Sequence, residues 1–126
     1  MYFVTSIAMP LRQFDTQLVD DLLALGGGEL RDQLLADLSR YAAQIRENGG
    51  SPRQDMPPPE QIRRDLHELR GIALTIGATG LSEYCLETED RLFHPPDATS
   101  RLRYATIAAA CDALAEGILA RRVDPA

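Results

Sequence analysis

The chain is predicted to be all-α, an antiparallel up-and-down four-helix bundle with an additional N-terminal helix. Apolar residues recur at helical spacing in five stretches, and no sustained period-two alternation rich in β-branched residues marks a strand. Glycine or proline runs separate several of the stretches, as expected where helices stop. Amphipathic helices joined mostly by short connections bury their stripes best in a bundle.

Phe14, Leu18, Leu22 and Leu25 form the first stripe, which ends at Gly26-Gly27-Gly28. Glycine accepts the left-handed backbone angles that close helices. The second stripe is Leu30, Leu34, Leu38, Ala42 and Ile45, with Leu35 and Tyr41 beside it, and it runs to Asn48-Gly49-Gly50. Four of the eight prolines fall between Ser51 and Pro59, so residues 48–59 are expected to form an extended connection. A third helix should start near Pro59-Glu60 and reach about Gly77, since proline and an acid both suit a first turn. Leu81, Tyr84, Cys85, Thr88 and Leu92 share one face of a fourth helix, ended by His94-Pro95-Pro96. Leu102, Cys111, Leu114, Ile118 and Leu119 mark a fifth among many alanines. The expectation is one domain over residues 1–126, with its core bundle over about 28–120.

The composition narrows the function. With 126 residues, 44% hydrophobic and 25% charged, the chain is long enough to bury a core and apolar enough to fold. A net charge of −6 argues against nucleic acid as a partner. No apolar run approaches the roughly 20 residues that span a bilayer, and the opening residues lack a basic, apolar export pattern, so a cytoplasmic protein away from membranes is expected. Cys85 and Cys111 are expected to be buried free thiols. Where Tyr2, Phe3, Val4 and Ile7 pack is left open.

On the third helix, Ile62, Leu66, Leu69, Ala73 and Ile76 fall in one narrow sector. At about 100° per residue, His67 lies roughly 140° from the centre of that sector, on the wet side. Its surface neighbours there are Arg63, Arg64, Arg70, Gly71 and Leu74. The plain alternative is a solvated face on which a histidine happens to lie. Two features weigh against it. Gly71 sits one turn after His67 without a packing role, although glycine costs about 1 kcal/mol relative to alanine inside a helix. Arg70 could donate charge-assisted hydrogen bonds to an anion on the ring. A neutral imidazole can act as a nucleophile without an adjacent carboxylate base, so no triad is required.

The run His67-Glu-Leu-Arg-Gly-Ile-Ala-Leu-Thr-Ile-Gly-Ala78, followed by Leu81-x-x-x-Cys85 and Glu89, resembles the signature H-x-L-K-G-x-A-x-x-x-G-A-x-x-L-x-x-x-C-x-x-L-E of histidine-phosphotransfer (HPt) domains. The resemblance covers about residues 62–92. It implies a phosphocarrier of a two-component phosphorelay. His67 would accept a phosphoryl group at Nε2 from a receiver aspartate and pass it on, Arg70 would stabilise that group, and Gly71 would leave access. Arg63, Arg64 and Leu74 would belong to the docking surface. The implied partners are receiver domains of response regulators or hybrid histidine kinases, met by a monomer. No cofactor is implied for this chain; magnesium is expected in the receiver only.

Arg70 stands where lysine is commoner, Thr88 replaces a leucine and is expected to soften the core slightly, and the proline-rich loop is longer than typical. A di-metal carboxylate site would need Glu-x-x-His pairs, but Arg64 and Arg91 precede His67 and His94 by three, so no metal site is expected. His94 is expected to be a capping or surface residue. No kinase or P-loop glycine motif is present, so no ATP-dependent activity is expected. The alternative function is an HPt-like binding module that docks and inhibits or scaffolds a kinase or receiver without phosphate transfer. Loss of the histidine usually betrays such members, and His67 is present.

Overall fold

The computed structural model describes residues 10–49, 59–91 and 98–121. The expectations for residues 1–9, for 50–58 within the proline-rich loop, for Leu92 and for His94 lie outside them. Among the described residues there are four long helices and no strand: α1 (Thr16–Gly49), α2 (Pro59–Thr75), α3 (Thr79–Asp90) and α4 (Ala98–Leu119). α1 packs chiefly on α4 and α2 on α3, with further α1–α2 and α3–α4 contacts. One cluster of buried side chains draws on all four helices.

α1 begins where Asp15 caps it, its Oδ1 accepting a hydrogen bond from the Leu18 amide at 2.9 Å. That carboxylate satisfies one of the amides that a helix start leaves without a carbonyl partner. The helical run passes through the glycine triplet and is broken at Gly27 alone, with φ 65° and ψ −156°. Ion pairs show the bend that results: Asp20 pairs with Arg121, and Arg46 with Asp112. A straight helix would hold Asp20 and Arg46 about 39 Å apart, whereas their partners are separated by roughly 13 Å of helical rise. Only a residue that tolerates positive φ can make that bend without a steric cost.

The first expected stripe is corrected in phase. Val19 and Leu23 are buried, Phe14, Leu18 and Leu22 are part-buried, and Leu25 is 89% exposed. Leu25 lies in the last turn before the Gly27 bend, where no described helix covers it. Of the second stripe, Leu34, Leu38, Tyr41, Ala42 and Ile45 are buried, while Leu30 and Leu35 are part-buried against the same core. In α4 the core is made by Tyr104, Ile107, Ala108, Cys111, Leu114 and Ile118, while the expected members Leu102 and Leu119 are exposed. Leu102 and Leu119 thus fall outside the face that the other large apolar residues of α4 bury.

α2 ends as expected. Gly77 has φ 71°, the Ala78 amide donates to the Ala73 carbonyl at 2.7 Å, and the Ile76 carbonyl accepts from the Asp15 amide at 3.0 Å. This turn ties the start of α1 to the end of α2 and sets α3 off at a fixed angle beside the face that carries His67.

Candidate functional site

The rotation of α2 is set by its apolar stripe. Ile62, Leu66, Leu69, Ala73 and Ile76 are at most 5% exposed, as the spacing required. His67 follows Leu66 directly and therefore leaves the core, with 68% of its side chain in solvent. Gly71, one turn further on, is also exposed, and a Cβ built there would meet nothing within 4 Å. Leu74, two turns from His67 on the same face, is 56% exposed.

α3 contributes a residue to which the sequence attached no role. Glu89 lies on the buried stripe with Leu81, Cys85 and Thr88, and it is only 7% exposed. A carboxylate in that position needs a partner, because an unpaired buried charge costs several kcal/mol. Arg70 supplies it: Nη1 donates to Glu89 Oε2 at 3.0 Å. The other arm of the same guanidinium lies 3.4 Å from His67 Nδ1, and Glu89 Oε1 lies 3.8 Å from that nitrogen. A carboxylate thus stands beside the imidazole, although a neutral ring does not require one to act as a nucleophile. The available signal was an acid four residues after Cys85, on a face otherwise apolar.

The two neighbours favour opposite tautomers. Arg70 can only donate, so it suits a ring whose Nδ1 is bare; Glu89 can only accept while ionised, so it suits a ring protonated at Nδ1. Both act at Nδ1. Neither contact involves Nε2, and 68% of the side chain is in solvent.

An open depression of about 520 Å³ surrounds the ring, lined by Glu60, Arg63, Arg64, His67, Arg70, Glu89 and Asp90. The three arginines expected around His67 are there, but three carboxylates are interleaved with them. The surround is balanced in charge where the sequence suggested a basic one. Arg64 is exposed, whereas Arg63 and Arg70 are part-buried.

Two further contacts hold the site's frame. The Tyr41 hydroxyl donates to Glu68 Oε2 at 2.6 Å, fixing the residue after His67 to α1. Burial and that bond push the Tyr41 phenol up to about 12, so it stays a donor at neutral pH. On α3, Thr88 does not soften the core as expected. Its hydroxyl accepts from Arg103 Nε at 2.9 Å and donates to the Tyr84 carbonyl at 2.8 Å. The Arg103 guanidinium also stacks over the Tyr84 ring at 3.9 Å. α4 thereby grips the last turn of α3, next to Glu89.

Cys85 and Cys111 are buried free thiols. Burial pushes both up, Cys111 to about 12 and Cys85 further, which removes them as thiolate nucleophiles near neutral pH. Among the described residues no group of three or more His, Cys, Asp or Glu side chains could hold a metal ion, and no helix is long and apolar enough to cross a membrane.

Fold and site together define an all-helical domain that presents one imidazole of α2 to solvent beside a paired guanidinium. Residues 29–119 match the family model of the Hpt domain, and the chain belongs to that family, whose members serve histidine phosphotransfer in phosphorelays and interact with receiver domains. No curated protein and no solved structure gives a match.

Proposed function

We propose that the protein is a phosphocarrier, accepting a phosphoryl group on His67 from a receiver aspartate and passing it to another receiver. The observation that carries this is the exposed His67 ring, with Arg70 and Glu89 both at Nδ1 and neither at Nε2. A receiver docks over His67, Gly71 and Leu74, with Arg63 and Arg64 at the rim, and brings the magnesium that holds its aspartyl phosphate. The Nε2 lone pair attacks phosphorus in line, and the bond to the aspartate oxygen breaks with its electron pair left on that carboxylate. The proton on Nδ1 stays, so the phosphorylated ring is cationic and faces Glu89. Arg70 adds positive charge close to the ring and stabilises the phosphoryl group, while Gly71 leaves the approach open.

The same proposal takes the chain as one domain over residues 1–126, with the antiparallel bundle over about 28–120 and the helix before Gly27 as its additional N-terminal element. It takes the working form to be a cytoplasmic monomer that recognises receivers of response regulators or hybrid kinases. The partner class comes from the family to which residues 29–119 belong.

Replacing His67 with Gln tests the carrier role. The variant should fold as the parent does, because the side chain is exposed. It should take up no acid-labile, base-stable phosphate from a phosphorylated receiver, and continued labelling would exclude His67 as the acceptor.

A further inference from the structure

The three arginines around His67 are not equivalent, and the difference assigns a role to one of them. Arg70 is committed: it is held by the buried Glu89 carboxylate and turned toward Nδ1. Arg64 occupies the opposite flank. Residues three before and three after His67 lie about 60° to either side of it, each about 4.5 Å along the helix axis. The Arg64 side chain is exposed, lines the same depression as His67, and has no hydrogen bond or ion pair among the described residues. Side chains three apart on a helix are neighbours, with Cβ atoms about 5–6 Å apart, so a guanidinium at 64 reaches a group carried on the ring at 67.

We infer that Arg64 is the residue that contacts the phosphoryl oxygens during transfer, while Arg70 acts from the Nδ1 side through its pairing with Glu89. The inference rests on His67 being the acceptor. The phosphoryl group bonds at the Nε2 edge of the ring, whereas Arg70 lies at Nδ1, and there an uncommitted planar guanidinium can donate two parallel hydrogen bonds to its oxygens. With a depression otherwise balanced in charge, such a donor is what favours a dianion there. Breaking the Arg70–Glu89 pair to serve the same purpose would leave a buried carboxylate without its partner.

Phosphoramidate tests this on the full chain without a partner. Its P–N bond breaks as Nε2 bonds to phosphorus, and the amine leaves as ammonia with a proton from solvent. The rate of phosphohistidine formation and the pH titration of the ³¹P shift are compared for the parent, Arg64→Ala, Arg64→Lys and His67→Gln. Arg64→Ala should slow formation by about tenfold or more, in line with loss of charge-assisted hydrogen bonds to the phosphoryl oxygens. It should also raise the pH at which the phosphoryl group titrates, and Arg64→Lys should recover part of both effects. Formation and titration in Arg64→Ala equal to the parent would overturn the role of Arg64 and leave the carrier function standing. Equal labelling of the parent and His67→Gln would instead overturn the carrier function itself.

Discussion

Two arginine–carboxylate pairs in this protein use the same chemistry and do different work. Arg121 holds Asp20 through two hydrogen bonds, one of them 2.8 Å, where both side chains are about one-third exposed, 34% and 38%. Arg70 holds Glu89 at 3.0 Å with the carboxylate only 9% exposed at its side chain. Water screens the first pair, so it joins α1 to the chain just after α4 without dictating anything nearby. Water cannot replace the partner in the second, so Glu89 is obliged to hold Arg70, and Arg70 is thereby placed against His67.

The largest effect that separates the two pairs should come from Glu89→Ala. It leaves Arg70 part-buried without its carboxylate and should cost about 2 kcal/mol in urea unfolding, below the full penalty of a buried charge because Arg70 retains some solvent contact. The imidazole of that variant should also shift its Nδ1 and Nε2 resonances toward the tautomer protonated at Nε2, since only Arg70 remains beside Nδ1. A variant as stable as the parent, with unchanged ring resonances, would place the Glu89 pair in the same class as the Asp20 pair.

A smaller effect of opposite sign is expected at Gly71, on the exposed face that carries His67. Because a Cβ there meets open space, Gly71→Ala should stabilise the fold by about 0.5–1 kcal/mol through helix propensity. A bulkier residue at the same position should slow transfer to or from a receiver with no loss of stability. Loss of stability on Gly71→Ala would mean that the glycine serves packing, and full transfer activity with a large side chain would remove the access role.

The smallest effect is assigned to Asp20→Asn. The hydrogen bonds from Arg121 hold the Asp20 carboxyl below its usual range. Its folded-state pKa is therefore depressed, so the contribution is present above the unfolded carboxylate pKa and fades as pH falls through the lowered one. The stability of Asp20→Asn should differ only slightly from the parent at neutral pH, and the difference should vanish in acid and in high salt. A difference that grew toward low pH would reverse the sign of this linkage.

How much of this could be read from the chain varies from helix to helix. On α2 the stripe from Ile62 to Ile76 was legible because every fourth or third residue is large and apolar and the opposite face is charged, so its period admits one rotation. At the start of α1, adjacent leucines and valines satisfy two rotations, and the choice of Val19 and Leu23 over Leu25 follows from the bend at Gly27. In α4 Tyr104, Ile107, Cys111, Leu114 and Ile118 carry the buried face, and Leu102 and Leu119 are exposed. Arg63, Arg64 and Arg70 were visible as neighbours of His67, but their interleaving with Glu60, Glu89 and Asp90 was not.

From the sequence alone come the all-helical class, the end of α2 at Gly77, and the exposure of His67, since each depends on local backbone preference or on one helix's own periodicity. Only the tertiary structure decides which guanidinium is bound and which is available, and that Thr88 is a link to Arg103. Those outcomes depend on side chains from different helices meeting where water is excluded, and partners up to 19 positions apart leave no periodic trace in the chain.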